Sequence, residues 1–130
     1  MEMQKDKKNN SGRGRIGSVK IADDVVAMIA ALAALEVDGV SAMAGGIGSE
    51  AVGRVSRSRL SRCVRVAVSQ SHARVDMSVM LEYGVNIPAT CGKVQKRVKT
   101  AIENMTGLRV PTVNVRIAQI TMPGEQESGQ

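Results

Sequence analysis

The stretch Val75–Thr121, VDMSVMLEYGVNIPATCGKVQKRVKTAIENMTGLRVPTVNVRIAQIT, reads strand, turn, long helix, turn, strand. Val75, Met77, Val79, Leu81 and Tyr83 alternate with polar residues, the period-2 signature of a half-buried strand. Gly84-Val85-Asn86 breaks the run. Asn86 is a good helix N-cap, and Pro88 falls in the first turn, where no backbone donor is lost. Ile87, Cys91, Val94, Val98, Ala101, Ile102 and Met105 then recur at three- and four-residue steps and form one helical stripe. Lys93, Lys96, Arg97 and Thr100 fall on the opposite face. Gly107 stops the helix as a C-cap residue would. Val113, Val115 and Ile117 alternate again. A crossover of this length predicts two parallel strands in one sheet, with the helix packed across them.

Upstream, Val64, Val66 and Val68 make a strand. Ser69–His72 turns it into the strand that begins near Arg74, giving an antiparallel hairpin. Ser18–Ala22 reads as a short strand with Val19 and Ile21 on one face. Asp23 or Asp24 then caps a helix running to about Glu36, where Val25, Met28, Ile29, Leu32 and Leu35 form the main apolar face. Val26, Ala30, Ala33 and Ala34 spread apolar surface round its sides. So little polar surface argues for burial on more than one side, by the sheet and by another chain. Val40–Ala44 has room for an optional extra strand. The expected fold is a single α/β domain over residues 16–122. Its class is an α+β two-layer sandwich with a mixed sheet of about four strands and two main helices, in β-α-β-β-α-β order. That order is compatible with a ferredoxin-like sandwich. Residues 1–15 read as a disordered basic arm and 123–130 as a flexible tail.

The 130 residues carry a net charge of +6: +3 in residues 1–15, −2 from Pro123 onward and +5 between. A positive middle favours anionic partners such as lipid headgroups, nucleic acid or an acidic protein. Arg54, Arg57, Arg59 and Arg62, with Arg65 just beyond, form one basic cluster; Lys93, Lys96 and Arg97 form another on the long helix. Both are candidate surfaces for an anionic partner. Tyr83 is the only Phe, Trp or Tyr. The core is therefore built from Val, Ile, Leu, Met and Ala, and the stacking rings that single-strand nucleic-acid binders use are missing.

No arrangement of residues here suits catalysis or a metal. His72 stands alone, and no Cys or carboxylate near it in sequence has ligand spacing. Cys63 and Cys91 form no CxxC pair, and Cys91 falls on the apolar helical stripe, which points to a buried thiol in a reducing compartment. Asp76 and Glu82 are about 20 Å apart along one strand, too far to act as paired carboxylates. Gly12-Arg13-Gly14-Arg15-Ile16-Gly17 spells GxGxxG, but a charged arm precedes it and a strand follows, the reverse of the dinucleotide-binding context. These residues imply no enzyme, no cofactor and no small-molecule substrate. Met1–Asn10 is polar, without the apolar core of a secretory signal. The longest apolar run, Val25–Leu35, has 11 residues, against the roughly 20 of a spanning helix.

Several blocks resemble the alkaline shock protein 23 family of Gram-positive bacteria. They are Ile21-Ala22-Asp23-Asp24-Val25-Val26 leading to Glu36-Val37-Asp38-Gly39-Val40, then Glu82-Tyr83-Gly84-Val85-Asn86-Ile87-Pro88, then Glu103-Asn104-Met105-Thr106-Gly107-Leu108, and Val113-Asn114-Val115. The resemblance implies an abundant, cytoplasmic, non-enzymatic protein of cell-envelope homeostasis and of alkaline or general stress. It implies protein partners, self-association, and for some members a place at the inner face of the membrane through a membrane-anchored partner. The alternative is a basic nucleic-acid-binding or regulatory protein, such as the branch linked to control of fatty-acid synthesis. The resemblance carries no catalytic residues.

Overall fold

The computed structural model describes residues 17–124. The arm read over residues 1–15, the GxGxxG up to Ile16 and the tail beyond Gly124 lie outside the described residues. Helix α1 spans Asp23–Leu35 and strand β1 Val40–Met43; helix α2 spans Arg57–Cys63 and runs into strand β2, Val64–Val68. Strand β3 is His72–Glu82, helix α3 is Ile87–Thr106, and strand β4 is Arg109–Thr121.

The crossover read from Val75–Thr121 is present as expected. β3 and β4 pair in parallel, with Val75 opposite Val113, Met77 opposite Val115 and Val79 opposite Ile117. Asn86 caps α3, its side-chain oxygen accepting from the Ala89 N–H at 2.9 Å. Gly107 ends the helix at φ 77°, where its N–H reaches the Glu103 carbonyl; a residue with Cβ would be strained in that left-handed position. The β2–β3 hairpin is antiparallel, Val64 facing Met77 and Val68 facing Ala73.

β3 is the centre of the mixed sheet. β4 covers one edge. The other edge is divided between two short strands: β2 takes Ala73–Met77, and β1 takes Val79–Leu81, antiparallel. Ala73, Val75, Met77, Val79 and Leu81 are all buried beneath α1 and α3, which lie side by side on one face. The opposite face carries Arg74, Asp76 and Ser78, and among the described residues only the end of α2 borders it. The result is the two-layer α+β sandwich with a mixed four-stranded sheet and two main helices expected from the sequence.

The element order differs in two places. Ser18–Ala22 forms no strand. It joins no strand, and Val19 is 88% exposed. The position beside the C-terminal half of β3 is filled instead by β1, the optional strand, so the first strand follows α1. Neither aspartate caps α1: Ala22 is the N-cap, and Asp23 and Asp24 sit in the first turn, where negative charge suits the helix dipole. The arginine-rich segment ahead of β2, to which the sequence assigns no element, forms α2; Ser56 caps it by accepting from the Arg59 N–H. Tyr83 ends up in the β3–α3 turn, 64% exposed, because the strand stops one residue before it. In α3 the buried stripe is Thr90, Val94, Val98 and Ile102. Ile87 and Met105, at the helix ends beyond the sheet, are exposed, and Cys91 and Ala101 flank the stripe half-buried.

Candidate functional site

The main surprise is the orientation of α1. Its buried side is Val26, Ala27, Ala30, Ala31, Ala33 and Ala34, mostly alanines. Small side chains let the helix backbone sit close to α3 and the sheet. Of the residues expected as its core face, Val25 and Leu32 point the other way, and Met28, Ile29 and Leu35 pack only in part against the core. Val25 is 46% and Leu32 42% exposed, and Met28, Ile29 and Leu35 are half-buried between them. At 100° per residue these five span the side opposite the alanines. The outer face of α1 is therefore an apolar stripe, continued upstream by half-buried Ile21 and exposed Val19.

Different charge surrounds each end of the stripe. Asp23 and Asp24 stand at the N-terminal end, with Arg57 of α2 ion-paired to Asp24. At the C-terminal end Glu36 pairs with Arg97 at 2.9 Å, and a shallow groove there is lined by Asp38, Lys93 and Lys96. The two basic clusters named from the sequence are thus not one surface. Arg57, Arg59 and Arg62 lie exposed on α2 with Arg54 just before it; Lys93, Lys96 and Arg97 lie exposed on α3 at the other end of α1. Beside Met28 opens an apolar cleft of about 900 Å³, floored by Ala27, Val52, Val55, Leu60 and Val64.

A second surface is the outer edge of β4. Its first part is covered by three side chains on one face of α3. Gln95 donates to the Val113 carbonyl at 3.1 Å, Lys99 to the Val110 carbonyl at 3.4 Å, and Glu103 accepts the Val110 N–H at 3.0 Å. Since the Val113 peptide faces outward, strand alternation turns those of Val115 and Ile117 outward too. That part of the edge is open for pairing.

The third surface is the uncovered sheet face, where Arg65 of β2 and Arg116 of β4 flank Asp76 and Ser78 of β3, and Arg62 of α2 borders the same depression. In the sequence Arg65 stands just beyond the basic cluster, and Arg116 is an inconspicuous position between Val115 and Ile117. Nothing but the strand register joins them.

The groups weighed for catalysis stay apart. His72 opens β3 with its Nδ1 on the Ser71 hydroxyl at 2.9 Å. Cys63 precedes Val64, which faces Met77, so it lies about six residues along β3 from His72, about 20 Å away. Burial pushes both thiols up from their ordinary pKa; at Cys63 the nearby Arg59 offsets only part of this. Cys63 donates its thiol hydrogen to the Leu60 carbonyl at 3.3 Å. Among the described residues no helix is long and apolar enough to cross a membrane.

Residues 11–122 match the model of the Asp23 family, described as having a cell envelope-related function. The uncharacterized protein YqhY of Bacillus subtilis (strain 168) is 32% identical over 105 residues, spanning 81% of this chain and 78% of that protein. A stress response regulator gls24 homolog of Streptococcus pyogenes serotype M6 is 28% identical over 105 residues, spanning 80% of this chain and 59% of the relative. Among solved structures, a variant of the MamM CTD aligns at TM-score 0.46 and 14% identity, over 74% of this chain and 93% of that one. The family match runs from ahead of α1 to the end of β4, across all three surfaces. This chain belongs to the alkaline shock protein 23 (Asp23) family, whose described function is cell envelope-related.

Proposed function

We propose that this protein is a non-enzymatic envelope-stress factor that acts through protein contacts, first of all with a second copy of itself along α1. The outward stripe of Val25, Ile29 and Leu32 carries the reading: a helix that buries alanines and exposes larger aliphatic side chains has a second face to cover. Charge favours a two-fold, antiparallel pair. Such a pair brings Asp23 of one copy towards Lys93 and Lys96 of the other, and among the described residues none of the three has an ion-pair partner. The assembly then presents its basic surfaces to a partner anchored in the membrane, on the cytoplasmic side. The stress response regulator name of a relative supports a role in the same response.

Light scattering coupled to size exclusion tests the contact. The wild type is expected to elute as a dimer or larger, and Leu32→Glu as a monomer with an unchanged far-ultraviolet circular dichroism spectrum. A wild type that stays monomeric at every accessible concentration refutes the reading. So does a Leu32→Glu variant that associates as well as the wild type.

A further inference from the structure

The uncovered sheet face holds a polar groove of about 370 Å³, within the range of small-ligand sites. Arg62 reaches it from α2, Arg65 from β2, Asp76 and Ser78 from β3, and Asn114 and Arg116 from β4. The register explains the convergence. Arg65 faces Asp76, Asp76 faces Asn114, and Ser78 faces Arg116. β2 and β4 flank β3, and the two arginines are offset by two residues along it, so their backbones stand about 12 Å apart.

The single carboxylate in the groove is already engaged. Asp76 accepts from the Asn114 side-chain amide at 2.6 Å and lies 3.7 Å from the Arg74 guanidinium. Arg62, Arg65 and Arg116 have no carboxylate within ion-pair distance among the described residues. Three like charges held over one depression repel one another unless an anion sits between them. We infer that this groove binds a phosphate group, as a phosphate monoester or a short polyphosphate.

Three guanidiniums and the Ser78 hydroxyl offer more donors than one carboxylate can accept. A phosphate dianion, with three free oxygens and two charges, uses them better, and Arg forks match its geometry. No aromatic side chain lines the groove, so it offers no ring for a nucleobase to stack on. Two sources carry the same chemistry, a free phosphate compound and a lipid headgroup.

Isothermal titration with inorganic pyrophosphate at low salt is the first arm. Saturable binding at one site per chain is expected, weakened about tenfold by Arg116→Gln and by Arg65→Gln. Arg116→Lys, which keeps the charge and loses the fork, should fall between. Arg59→Gln, exposed on α2 and outside the groove, should bind as the wild type does. The second arm is cosedimentation with phosphatidylcholine vesicles, with and without phosphatidic acid. Retention by the acidic vesicles that Arg116→Gln abolishes assigns the site to a headgroup; pyrophosphate binding without retention assigns it to a soluble compound. Either outcome supports the phosphate site. It is overturned if pyrophosphate does not bind saturably, or if Arg59→Gln and Arg116→Gln weaken binding equally. Binding of duplex DNA that pyrophosphate does not displace also overturns it, in favour of an extended basic surface. The groove lies on the side of the sheet away from α1, so Leu32→Glu should leave pyrophosphate binding unchanged, and the two proposals fail separately.

Discussion

Glu103 joins the end of α3 to the start of β4. Its carboxylate accepts the Val110 N–H at 3.0 Å and lies 3.6 Å from the Lys99 ammonium. The hydrogen bond, with smaller help from Lys99 and Arg109, holds its pKa below the ordinary carboxylate value. A carboxylate whose pKa is lower folded than unfolded adds stability above its unfolded pKa and loses it as pH falls through the folded one. Glu103→Gln should therefore melt below the wild type at neutral pH, and the two curves should converge as pH drops beneath the usual carboxylate range. A gap as wide in acid as at neutrality would show that Glu103 acts through packing alone. The thiols obey the opposite sign. Burial raises the pKa of Cys63 and Cys91, so the neutral form is the one the fold holds, and their contribution is lost as pH rises past the ordinary thiol value.

Among the elements, α1 separates what periodicity shows from what packing decides. Ala30 is fully buried where α1 meets the rest of the core. Ala30→Leu should cost about 1–3 kcal/mol, because there is no space for the added carbons. Leu32→Ala, on the outer face, should change monomer stability by only about 0.5 kcal/mol. Urea unfolding followed by circular dichroism compares them, and equal effects would mean that the helix faces are misplaced. The sequence misleads here because hydrophobic patterning gives weight to large side chains, whereas a close helix contact selects small ones. The β3–α3–β4 unit was legible for the opposite reason: long alternating strands, an Asn cap and a Gly stop all agree. Ser18–Ala22 offered only Val19 and Ile21 as evidence for a strand, too little to reveal whether a partner lay beside it. α2 was hidden by its arginines, although Ser56 followed by Leu60 and Cys63 was a usable signal. The phosphate groove was illegible in principle, since Arg65 and Arg116 become neighbours only through a register set by the burial of other residues.

Across the molecule, β3 is the one strand among the described residues that is bounded on both edges, and the helices cover one of its faces. β1 and β2 share an edge, and the chain between them, residues 44–63, includes Gly45, Gly46 and Gly53 and a single short helical turn before α2. Native-state hydrogen exchange should find the amides of Val75–Leu81 slowest, well behind those of residues 44–56. Equal protection in the two would contradict a sheet built around β3. The lone tyrosine has a practical consequence. Tyr83 projects into solvent at a turn and the interior holds no ring, so ultraviolet absorbance and intrinsic emission are blind to the core. Melting leaves that chromophore in water, much as it was before. A change in its emission reports a visitor at the β3–α3 corner.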